Sequence, residues 1–521
     1  MITKLPEEFL SVISENNGLK QYLSSLAKGR QYTPRSWLYE DEDPDQVLQN
    51  WLNQLSVLEH GDTFEKKVFQ FDTSQLKKWG PQGGIAPIQE LLPDVVKPTF
   101  ASADSLRPKA FATKQWERAK TYVTQRFLRE GVAALRPASY SSVVADMRAR
   151  DTLESNSGWP DFTRRKKPAV LASAITAASN EAWLDYPAIA LFRNYNLKTR
   201  LVWMFPEATN IYEGSYCQPV QSRIINSEDM FFAPWTGFDC VRDLIGNYYA
   251  QGKFLTASDF SATDAHFQLP STMETFDVLK YVFQQATLGG LRASLKRMHN
   301  IPLIIGTDEM ITGEHGVSSG SNWTNFIETV FDAIFASYVS EHTQTYGVCA
   351  IGDDMCWYSD KYDDALDKKL ENLGKDVGQE INAEKVTNDP DSVKFLQRLF
   401  QRGYKRQDGR IRAVYSTVRA LKSSVYPERF HKPESWSVDM FCARQYMILE
   451  NCVDHPLFEH FVKYVVHGQR DLIPFARKSR AELDKITRET KLLPGFNPTY
   501  NQEKRDTSLA NFESVKLVRS F

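Results

Sequence analysis

Two short acidic clusters at the ends of predicted strands constrain the fold of this 521-residue chain more than any other feature of its sequence. Residues 253–260 alternate weakly between apolar and polar types, which predicts a strand that ends at Asp259. Residues 346–351 and 355–358 are rich in β-forming types, and Gly352-Asp353-Asp354 between them predicts a hairpin with two carboxylates at its tip. A single Asp-Asp turn is most often a solvated loop, but two acidic strand ends in one chain indicate a shared site.

Carboxylates of this kind are the ligands that magnesium prefers. Magnesium takes one or two protein carboxylates per ion and completes its octahedron with waters and substrate phosphates. Nucleotidyl transfer uses two such ions about 3.5–4 Å apart, one that activates the attacking hydroxyl and one that stabilises the leaving group. Asp259, Asp353 and Asp354 are therefore candidate catalytic residues and ligands of two Mg²⁺ ions, and Mn²⁺ is expected to substitute.

A small, glycine-bearing loop lies between the two acidic clusters. Residues 319–325 read Ser-Gly-Ser-Asn-Trp-Thr-Asn, and apolar residues then recur at helical spacing from Phe326 to Tyr338. A loop of this composition before a helix lets the backbone approach a phosphate or a templating base, and its hydroxyl groups can read a ribose or a base pair. The candidate nucleotide-binding residues of this loop are Ser319, Gly320, Thr324 and Asn325.

The order Asp-x4-Asp, Ser-Gly-x3-Thr, Gly-Asp-Asp resembles motifs A, B and C of viral RNA-dependent RNA polymerases. The flanks, residues 201–206 and 319–325 among them, are most similar to the picobirnavirus enzymes and next to the partitivirus enzymes, both from double-stranded RNA viruses. Four weaker segments resemble motifs G, F, D and E of the same family; they are residues 157–160, 196–200, 381–385 and 395–400. The resemblance covers residues 157–400, and its most specific part is the order of motifs A, B and C.

The resemblance implies an α+β fold with the right-hand arrangement of fingers, palm and thumb. The palm would be an antiparallel sheet backed by helices, encircled by contacts between fingers and thumb. The chain would then divide into an N-terminal bridging segment, fingers with motifs G and F, a palm with motifs A to E and a short fingers insertion, a thumb, and a C-terminal tail. The expected boundaries are residues 1–100, 101–250, 251–400, 401–492 and 493–521.

The same resemblance implies an RNA-directed RNA polymerase. The expected activity is RNA-templated synthesis of RNA from NTPs by two-metal-ion nucleotidyl transfer, without a primer, to replicate and transcribe a viral RNA genome. The expected partners are NTPs and the RNA template and product, with viral capsid protein as a further candidate, and the protein is expected to act as a monomer in the virion interior and the host cytoplasm. Ser157, Gly158 and Pro160 of motif G would guide the template.

The phosphates of an NTP require cations. An NTP carries about four negative charges, and the charge that grows on the phosphate in the transition state needs Arg or Lys side chains. Arg193, Lys198 and Arg200 are the candidates, with Arg200 the best placed because it opens a strand-like run; each can also be a solvated surface charge. Lys385 in motif D is either a general acid that protonates pyrophosphate or a surface lysine after a turn.

One position departs from the family pattern. Many relatives carry an Asn four residues after the motif B Thr, where it helps the second motif A Asp sense the 2′-hydroxyl of the ribose. Here that position is Glu328, while Asn325 follows Thr324 directly. Asp264 is the residue expected to accept a hydrogen bond from the 2′-hydroxyl, and its partner is either Asn325 or Glu328.

Basic residues are concentrated in one stretch, although the formal net charge is only −2. Residues 107–136 contain eight Lys and Arg against two Glu, and Arg-Arg-Lys-Lys follows at residues 164–167. A basic stretch is usually a solvated helix face. Beside the motifs above we expect it to line an RNA or NTP path, because phosphate neutralisation dominates affinity for RNA.

Two alternatives to an RNA-templated RNA polymerase remain. A reverse transcriptase shares the carboxylate geometry but usually has a bulky residue where Asp264 stands. A non-catalytic RNA-binding protein of the capsid interior is disfavoured by the intact Asp259, Asp353 and Asp354. The six cysteines have no Cys-x2-Cys spacing, which predicts neither a zinc site nor a disulfide framework. No signal-peptide pattern and no apolar run of membrane-spanning length is recognisable, so no membrane partner is expected.

The segment from residue 493 onward has turn residues near its start and few regularly spaced apolar ones. The plain interpretation is a surface tail. The alternative is a tail that folds back into the cleft, where Tyr500, Phe512 or Phe521 stacks on the initiating nucleotide.

Overall fold

The computed structural model describes residues 1–101, 107–432, 434–493, 496 and 507–521. The strands of the described part are β1 (Ile2–Lys4), β2 (Ala188–Tyr195), β3 (Lys198–Met204), β4 (Phe254–Ser261), β5 (Leu303–Ile304), β6 (Glu309–Ile311), β7 (Thr345–Ile351), β8 (Asp354–Ser359), β9 (Glu380–Ile381), β10 (Thr387–Asn388), β11 (Ser392–Phe395), β12 (Arg398–Gln401) and β13 (Val414–Tyr415).

The helices of the same part are α1 (Glu7–Glu15), α2 (Asn17–Leu26), α3 (Pro44–Leu55), α4 (Thr63–Thr73), α5 (Ile88–Leu91), α6 (Lys114–Arg129), α7 (Tyr140–Ala149), α8 (Pro168–Ser179), α9 (Glu207–Ile225), α10 (Ala233–Thr236), α11 (Phe238–Ala250), α12 (Thr263–His266), α13 (Leu269–Leu279), α14 (Leu288–Asn300), α15 (Thr324–His342), α16 (Leu366–Asp376), α17 (Thr417–Val425), α18 (Val438–Glu450), α19 (Phe458–Val466), α20 (Leu472–Ala476), α21 (Arg480–Thr490) and α22 (Glu513–Arg519).

The five-stranded sheet in the order β1-β6-β5-β2-β3 is named the fingers sheet after the expected fingers subdomain, which contains β2 and β3. β2 and β3 make a long antiparallel hairpin in which Arg193 lies opposite Arg200. The two turn residues, Asn196 and Leu197, have φ angles of 55° and 60°, as the two-residue turn favoured in hairpins requires. Buried apolar side chains of this sheet pack with those of α1 and α2 in one core.

The palm sheet has the order β10-β4-β8-β7, with β9 paired to the end of β4. Successive side chains of its central strands enter two different cores, as the period of two in a strand demands. Trp357 of β8 packs with α6, α13 and α15 on one face, and its neighbour Cys356 packs with α11 and β11 on the other. The sheet is therefore covered on both faces, and the charged side chains of its two central strands, Asp259 and Asp354, lie near the strand ends.

A three-stranded sheet, β11-β12-β13, leads into the thumb helices α17 to α22. Helices α3 and α4 of the N-terminal segment complete the thumb core. Trp51 of α3 donates its indole N–H to the Thr417 hydroxyl at 2.9 Å, and Asp72 of α4 accepts from the Ser416 and Thr417 hydroxyls at 2.6 Å each. The N-terminal segment thus contributes α1 and α2 to the fingers core and α3 and α4 to the thumb core.

The basic stretch of residues 107–136 lies against the palm. Helix α6 packs on α13 and α15. Four cations of the basic stretch pair with carboxylates: Arg107 and Lys120 with Glu274, Arg118 with Glu341, and Arg126 with Asp229. For these four the expected role along an RNA or NTP path is not supported, because each already has a protein carboxylate as partner.

Each of the six cysteines has a free thiol in this structure, and five of them are buried. Across the described ranges, no helix combines the length and the apolarity that crossing a bilayer requires.

Candidate active site

Strand pairing in the palm sheet brings the two acidic clusters together. Asp259 near the end of β4 and Asp354 at the start of β8 are Cα partners in the antiparallel pairing of these strands. The Phe260 N–H donates to the Asp353 carbonyl at 3.1 Å, and the Thr263 hydroxyl lies 3.4 Å from the Asp353 carboxylate. Asp259, Asp353 and Asp354 therefore lie together at one edge of the sheet.

The turn that carries Asp353 and Asp354 rests on α15. Gly352 has a φ of 58°, in the left-handed region that glycine adopts at little steric cost. Its N–H donates to the Thr329 hydroxyl at 2.9 Å. A Cβ at this position would lie 2.3 Å from Asn325 Oδ1. Glycine is therefore required here by the backbone conformation and by the close approach of α15.

Burial raises the pKa values of the three aspartates. Burial, with the charges of Asp353 and Asp259, raises the pKa of Asp354 well above its ordinary value. Burial and the charge of Asp259 raise the pKa of Asp353. Burial also raises the pKa of Asp259, against the attraction of the Lys385 ammonium. Bound cations would stabilise such a site, because positive charge offsets the repulsion between carboxylates.

The donor set fits hard divalent cations. Carboxylate oxygens without thiolate or imidazole ligands are typical of Mg²⁺ and Mn²⁺ sites. Within the residues that the structure describes, no three His, Cys, Asp or Glu side chains are grouped so that they alone could hold a metal ion. Magnesium ions at Asp259, Asp353 and Asp354 would therefore take much of their coordination from waters and substrate phosphates.

The pKa of Asp264 on α12 is influenced by Asp353 and by two cations of β3. Burial and the charge of Asp353 raise its pKa to about 6, and Arg200 and Lys198 oppose this rise. Lys198 and Arg200 are two residues apart on β3 and both are exposed, so their side chains leave the strand on the same face. The structure thus brings the sugar-sensing candidate Asp264 and two of the three predicted phosphate-binding cations to the carboxylate edge.

Arg193, the third predicted phosphate-binding cation, is engaged elsewhere. Its Nε and Nη2 donate to the two carboxylate oxygens of Glu428 at 2.7 Å each. Gln82 adds a second link, because it accepts from the Asn196 N–H at 3.0 Å and donates to the Tyr426 carbonyl at 2.7 Å. The NTP-binding role predicted for Arg193 is not supported, since its guanidinium joins the fingers hairpin to the thumb.

The glycine-bearing loop is docked on β3. The Ser319 hydroxyl donates to the Leu201 carbonyl at 3.3 Å and accepts from the Trp203 N–H at 3.4 Å. The Thr324 hydroxyl donates to the Ser318 carbonyl at 2.5 Å. A Cβ on Gly320 would lie 1.6 Å from the Trp203 carbonyl oxygen, so only glycine allows this approach. Ser319 and Thr324 therefore use their hydroxyl protons to hold the loop, and their nucleotide contacts stay predictions.

The motif G residues are largely enclosed. Ser157 is 2% exposed, and its hydroxyl oxygen accepts from the Thr163 N–H at 3.2 Å. Gly158 is also buried, and Pro160, which follows a cis peptide bond, is half-buried. A template contact through the Ser157 hydroxyl is not supported, because this group faces protein. Gly158 and Pro160 stay predictions.

Two buried carboxylates of α15 lie beneath the acidic turn. Glu328 is 5% exposed and Asp332 is 0% exposed. Burial and the charges of Asp353, Asp264 and Asp354 raise the pKa of Glu328 well above its ordinary value. Burial, with the charge of Glu328 as the next largest cause, does the same for the pKa of Asp332. Glu328 was a candidate partner of Asp264 from the sequence, whereas Asp332 was not predicted. The spacing of four residues between them in an apolar helix indicates that both side chains lie on one side of α15.

Comparisons with known proteins agree with this geometry. Residues 196–429 match the family model described as viral RNA-dependent RNA polymerase. A potential RNA-dependent RNA polymerase of human picobirnavirus (strain Human/Thailand/Hy005102/-) is 26% identical over 487 residues, which cover 87% of this chain and 86% of that protein. The chain therefore carries a viral RNA-dependent RNA polymerase domain at residues 196–429. An RNA-directed RNA polymerase of Cryptosporidium parvum virus 1 (strain KSU-1) is 25% identical to it over 166 residues, 30% of this chain and 31% of that protein.

Solved structures share the fold of this polymerase. The crystal structure of the RNA-dependent RNA polymerase of a human picobirnavirus matches it with a TM-score of 0.83 at 23% identity, over 99% of this chain and 100% of that chain. An insertion loop deletion mutant of such an enzyme matches with a TM-score of 0.81, again at 23% identity and with the same coverage. The expected family, enzyme class and α+β right-hand fold are confirmed.

The described C-terminal residues of the polymerase pack on the thumb. Phe512 is 1% exposed within the thumb core. The Phe521 carbonyl accepts a hydrogen bond from Arg477 at 2.9 Å. The Lys463 ammonium lies 5.3 Å from the centre of the Phe521 ring. Tyr500 lies outside the described residues. Stacking on an initiating nucleotide is not supported for Phe512, because thumb helices enclose its ring.

Proposed function

We propose that this polymerase synthesises RNA from NTPs on an RNA template by nucleotidyl transfer that depends on two Mg²⁺ ions, for which Mn²⁺ substitutes. The observation that carries the proposal is the pairing of Asp259 with Asp354 across β4 and β8, with Asp353 beside them. Bound there, the cations would supply activation of the 3′-hydroxyl and stabilisation of the leaving pyrophosphate. The palm sheet holds the three carboxylates in place, so that little reorganisation is needed when the cations arrive.

The charged residues around this centre have separate tasks in the proposal. Lys198 and Arg200 neutralise the triphosphate of the incoming NTP. Asp264 accepts a hydrogen bond from its 2′-hydroxyl, and the raised pKa of this carboxyl fits a residue that works beside other carboxylates. Lys385, whose ammonium acts on Asp259, donates a proton to the departing pyrophosphate.

We further propose that synthesis begins without a primer, and that the monomeric polymerase replicates and transcribes a viral RNA genome in the virion interior and the host cytoplasm. Similarity to a polymerase of human picobirnavirus over most of both chains supports the viral setting. RNA template, RNA product and NTPs are the proposed partners, with capsid protein as the partner inside a particle.

The first experiment removes one negative charge from the carboxylate edge. Asp353→Asn and Asp259→Asn keep the side-chain shape but weaken cation binding, so we expect no detectable RNA synthesis with Mg²⁺ or Mn²⁺ and unchanged RNA affinity. Asp364→Asn, at an exposed site on the approach to α16, is the matched control and should retain wild-type synthesis. Near-normal incorporation by both site variants would contradict the assignment.

A second experiment tests the substrate and the start of synthesis. Purified polymerase is given an RNA template, with or without a primer, and labelled NTP or dNTP. We expect incorporation of NTP on the unprimed template. Equal use of dNTP would indicate reverse transcription, and synthesis that strictly requires a primer would overturn the initiation proposal while leaving the metal-site proposal intact.

A further inference from the structure

Helix α9 holds residues 320–322, the B loop, through one of its faces. Asn210, Glu213 and Cys217 follow one another at spacings of three and four, which places them on one side of the helix. Glu213 is 1% exposed. Its carboxylate accepts from the Asn322 backbone N–H at 3.1 Å and from the Ser321 hydroxyl. Nothing in motifs A to G points to Glu213, yet it binds the motif B segment directly.

Asn210 completes the contact with the B loop. Its side-chain amide donates to the Gly320 carbonyl at 3.1 Å and to Glu213 Oε1 at 2.9 Å. Its backbone carbonyl accepts from the Asn322 side chain at 2.9 Å. Each of the three B-loop residues is therefore hydrogen-bonded to α9, and Glu213 and Asn210 are also bonded to each other.

The contact depends on a charged group in a buried place. Burial raises the pKa of Glu213 to about 7, against the donors on Ser321, Asn322 and Asn210 and the Arg165 guanidinium. Burying a carboxylate is unfavourable unless hydrogen bonds compensate. Packing α9 against a loop does not require this charge, since an apolar or amide side chain of similar size would fill the same volume.

The B loop connects two parts of the active site. On one side Gly320 and the preceding residue, Ser319, dock on β3, the strand that carries Lys198 and Arg200. On the other side the loop runs into α15, where Asn325 and Thr329 contact Gly352 of the acidic turn. A displacement of the B loop would therefore change the distance between the phosphate-binding cations and the carboxylates. A nucleotide that must reach both groups at once would then be held less well.

We propose that Glu213 is a positioning residue for nucleotide addition, which holds the B loop where β3 and the carboxylate edge meet the same incoming nucleotide. The inference rests on the proposed use of Lys198, Arg200 and Asp353 by one NTP. Glu213 touches neither substrate nor metal. It acts through Ser321 and Asn322, so its loss changes how well the nucleotide is held more than how well RNA is bound.

The test compares Glu213→Gln with the wild-type polymerase in single-nucleotide extension of a primed RNA template. Glutamine keeps the size but replaces one acceptor oxygen by a donor, so the Ser321 hydroxyl and the Asn322 N–H cannot both be satisfied. We expect the KM for NTP to rise about tenfold or more, with RNA affinity unchanged. Ser321→Ala should also raise the KM. The double variant with Glu213→Gln and Ser321→Ala should have the same KM as Glu213→Gln alone, because both residues act through one contact.

Glu450→Gln is the matched control. Glu450 holds the start of α22 in the thumb through a similar set of donors: the Glu513 N–H at 2.9 Å, the Ser514 N–H at 3.1 Å and the Ser514 hydroxyl at 2.8 Å. Its substitution should lower thermal stability and leave the KM for NTP unchanged.

The outcomes separate a positioning role from a merely structural one. If Glu213→Gln lowers stability like Glu450→Gln but keeps the wild-type KM, or if the effects of Glu213→Gln and Ser321→Ala on KM are independent, the inference is overturned. If Glu213→Gln does not fold, an unchanged KM in Ser321→Ala overturns it and a raised KM supports it. A wild-type polymerase that adds no nucleotide would instead defeat the proposed function.

Discussion

The carboxyl of Glu207, at the first position of α9, offers a quantitative test of the electrostatics of this polymerase. Glu207 is 2% exposed, and within the described residues neither of its carboxylate oxygens has a hydrogen-bond partner. Burial raises its pKa from 4.5 to about 7; the nearby Arg165 opposes the rise and Asp161 adds to it. A buried, unpaired charge should destabilise the fold wherever the carboxyl is ionised.

The sign of the pH dependence follows from proton binding. Between pH 4.5 and about pH 7 the folded protein keeps a proton on Glu207 that the unfolded chain releases. The free energy of unfolding therefore falls as the pH rises through this window. Above the window Glu207 is ionised in the folded protein, and the destabilisation is complete. One pKa unit corresponds to about 1.4 kcal/mol, so the cost above pH 7 is about 3 kcal/mol.

Glu207→Gln removes the ionisation while keeping the shape. At about pH 8 we expect the variant to be more stable than the wild type by about 3 kcal/mol, and at about pH 5 the two should be nearly equal. For a chain of this length the unfolding entropy converts this difference into about 3 °C in the midpoint of thermal unfolding. The measurement is thermal unfolding of both proteins at a series of pH values.

Glu450→Gln again serves as the control, because its carboxylate is fully hydrogen-bonded by the start of α22. Leaving a buried donor without a partner costs about 1–3 kcal/mol, so this variant should be less stable than the wild type even at about pH 8, where Glu207→Gln gains most. A Glu207→Gln protein that is less stable than the wild type at high pH, or whose difference from it does not change with pH, would refute the reasoning.

Three further predictions concern the sugar, the B loop and the tail. Asp264→Ala should lower the preference for NTP over dNTP about tenfold or more in kcat/KM, because it removes the acceptor for the 2′-hydroxyl; an unchanged ratio would exclude that role. Gly320→Ala should lower the rate of nucleotide addition, since the new Cβ would lie 1.6 Å from the Trp203 carbonyl oxygen. Gly289→Ala is the control: its new Cβ would meet no atom within 4 Å, so it should keep the wild-type rate in the same extension assay. Phe512→Ala should lower the free energy of unfolding by about 3–5 kcal/mol; a loss of unprimed initiation without a loss of stability would contradict its placement in the thumb core.

The sequence by itself was sufficient to predict the family, the fold class and the position of the acidic turn. Residues 346–351 and 355–358 were expected as strands, and β7 and β8 cover Thr345–Ile351 and Asp354–Ser359. These features are encoded locally, because strand alternation and turn chemistry depend on residues a few positions apart. The order of motifs A, B and C then identified a fold that the comparisons confirm.

The strand that carries Asp259 shows where local information ends. The sequence predicted its end at Asp259, while β4 continues to Ser261. Pairing explains the difference, since Phe260 and Ser261 are held by β9, a strand about 120 residues later in the chain. An element's last residues depend on which partner is available, and that information is not local.

Only the tertiary structure decided the partners of the charged residues. The sequence predicted that Arg193 binds the triphosphate of the NTP. In the structure its guanidinium donates instead to Glu428, which is 235 residues away in sequence. Lys120 was a candidate for an RNA path, but Glu274 lies 2.7 Å from its ammonium. The sequence predicted no role for Glu213, yet its carboxylate accepts a hydrogen bond from the B loop. A sequence shows where a charged residue lies along the chain. The role of that residue depends on the opposite charges and hydrogen-bond donors within a few ångström, and folding brings these partners from distant segments.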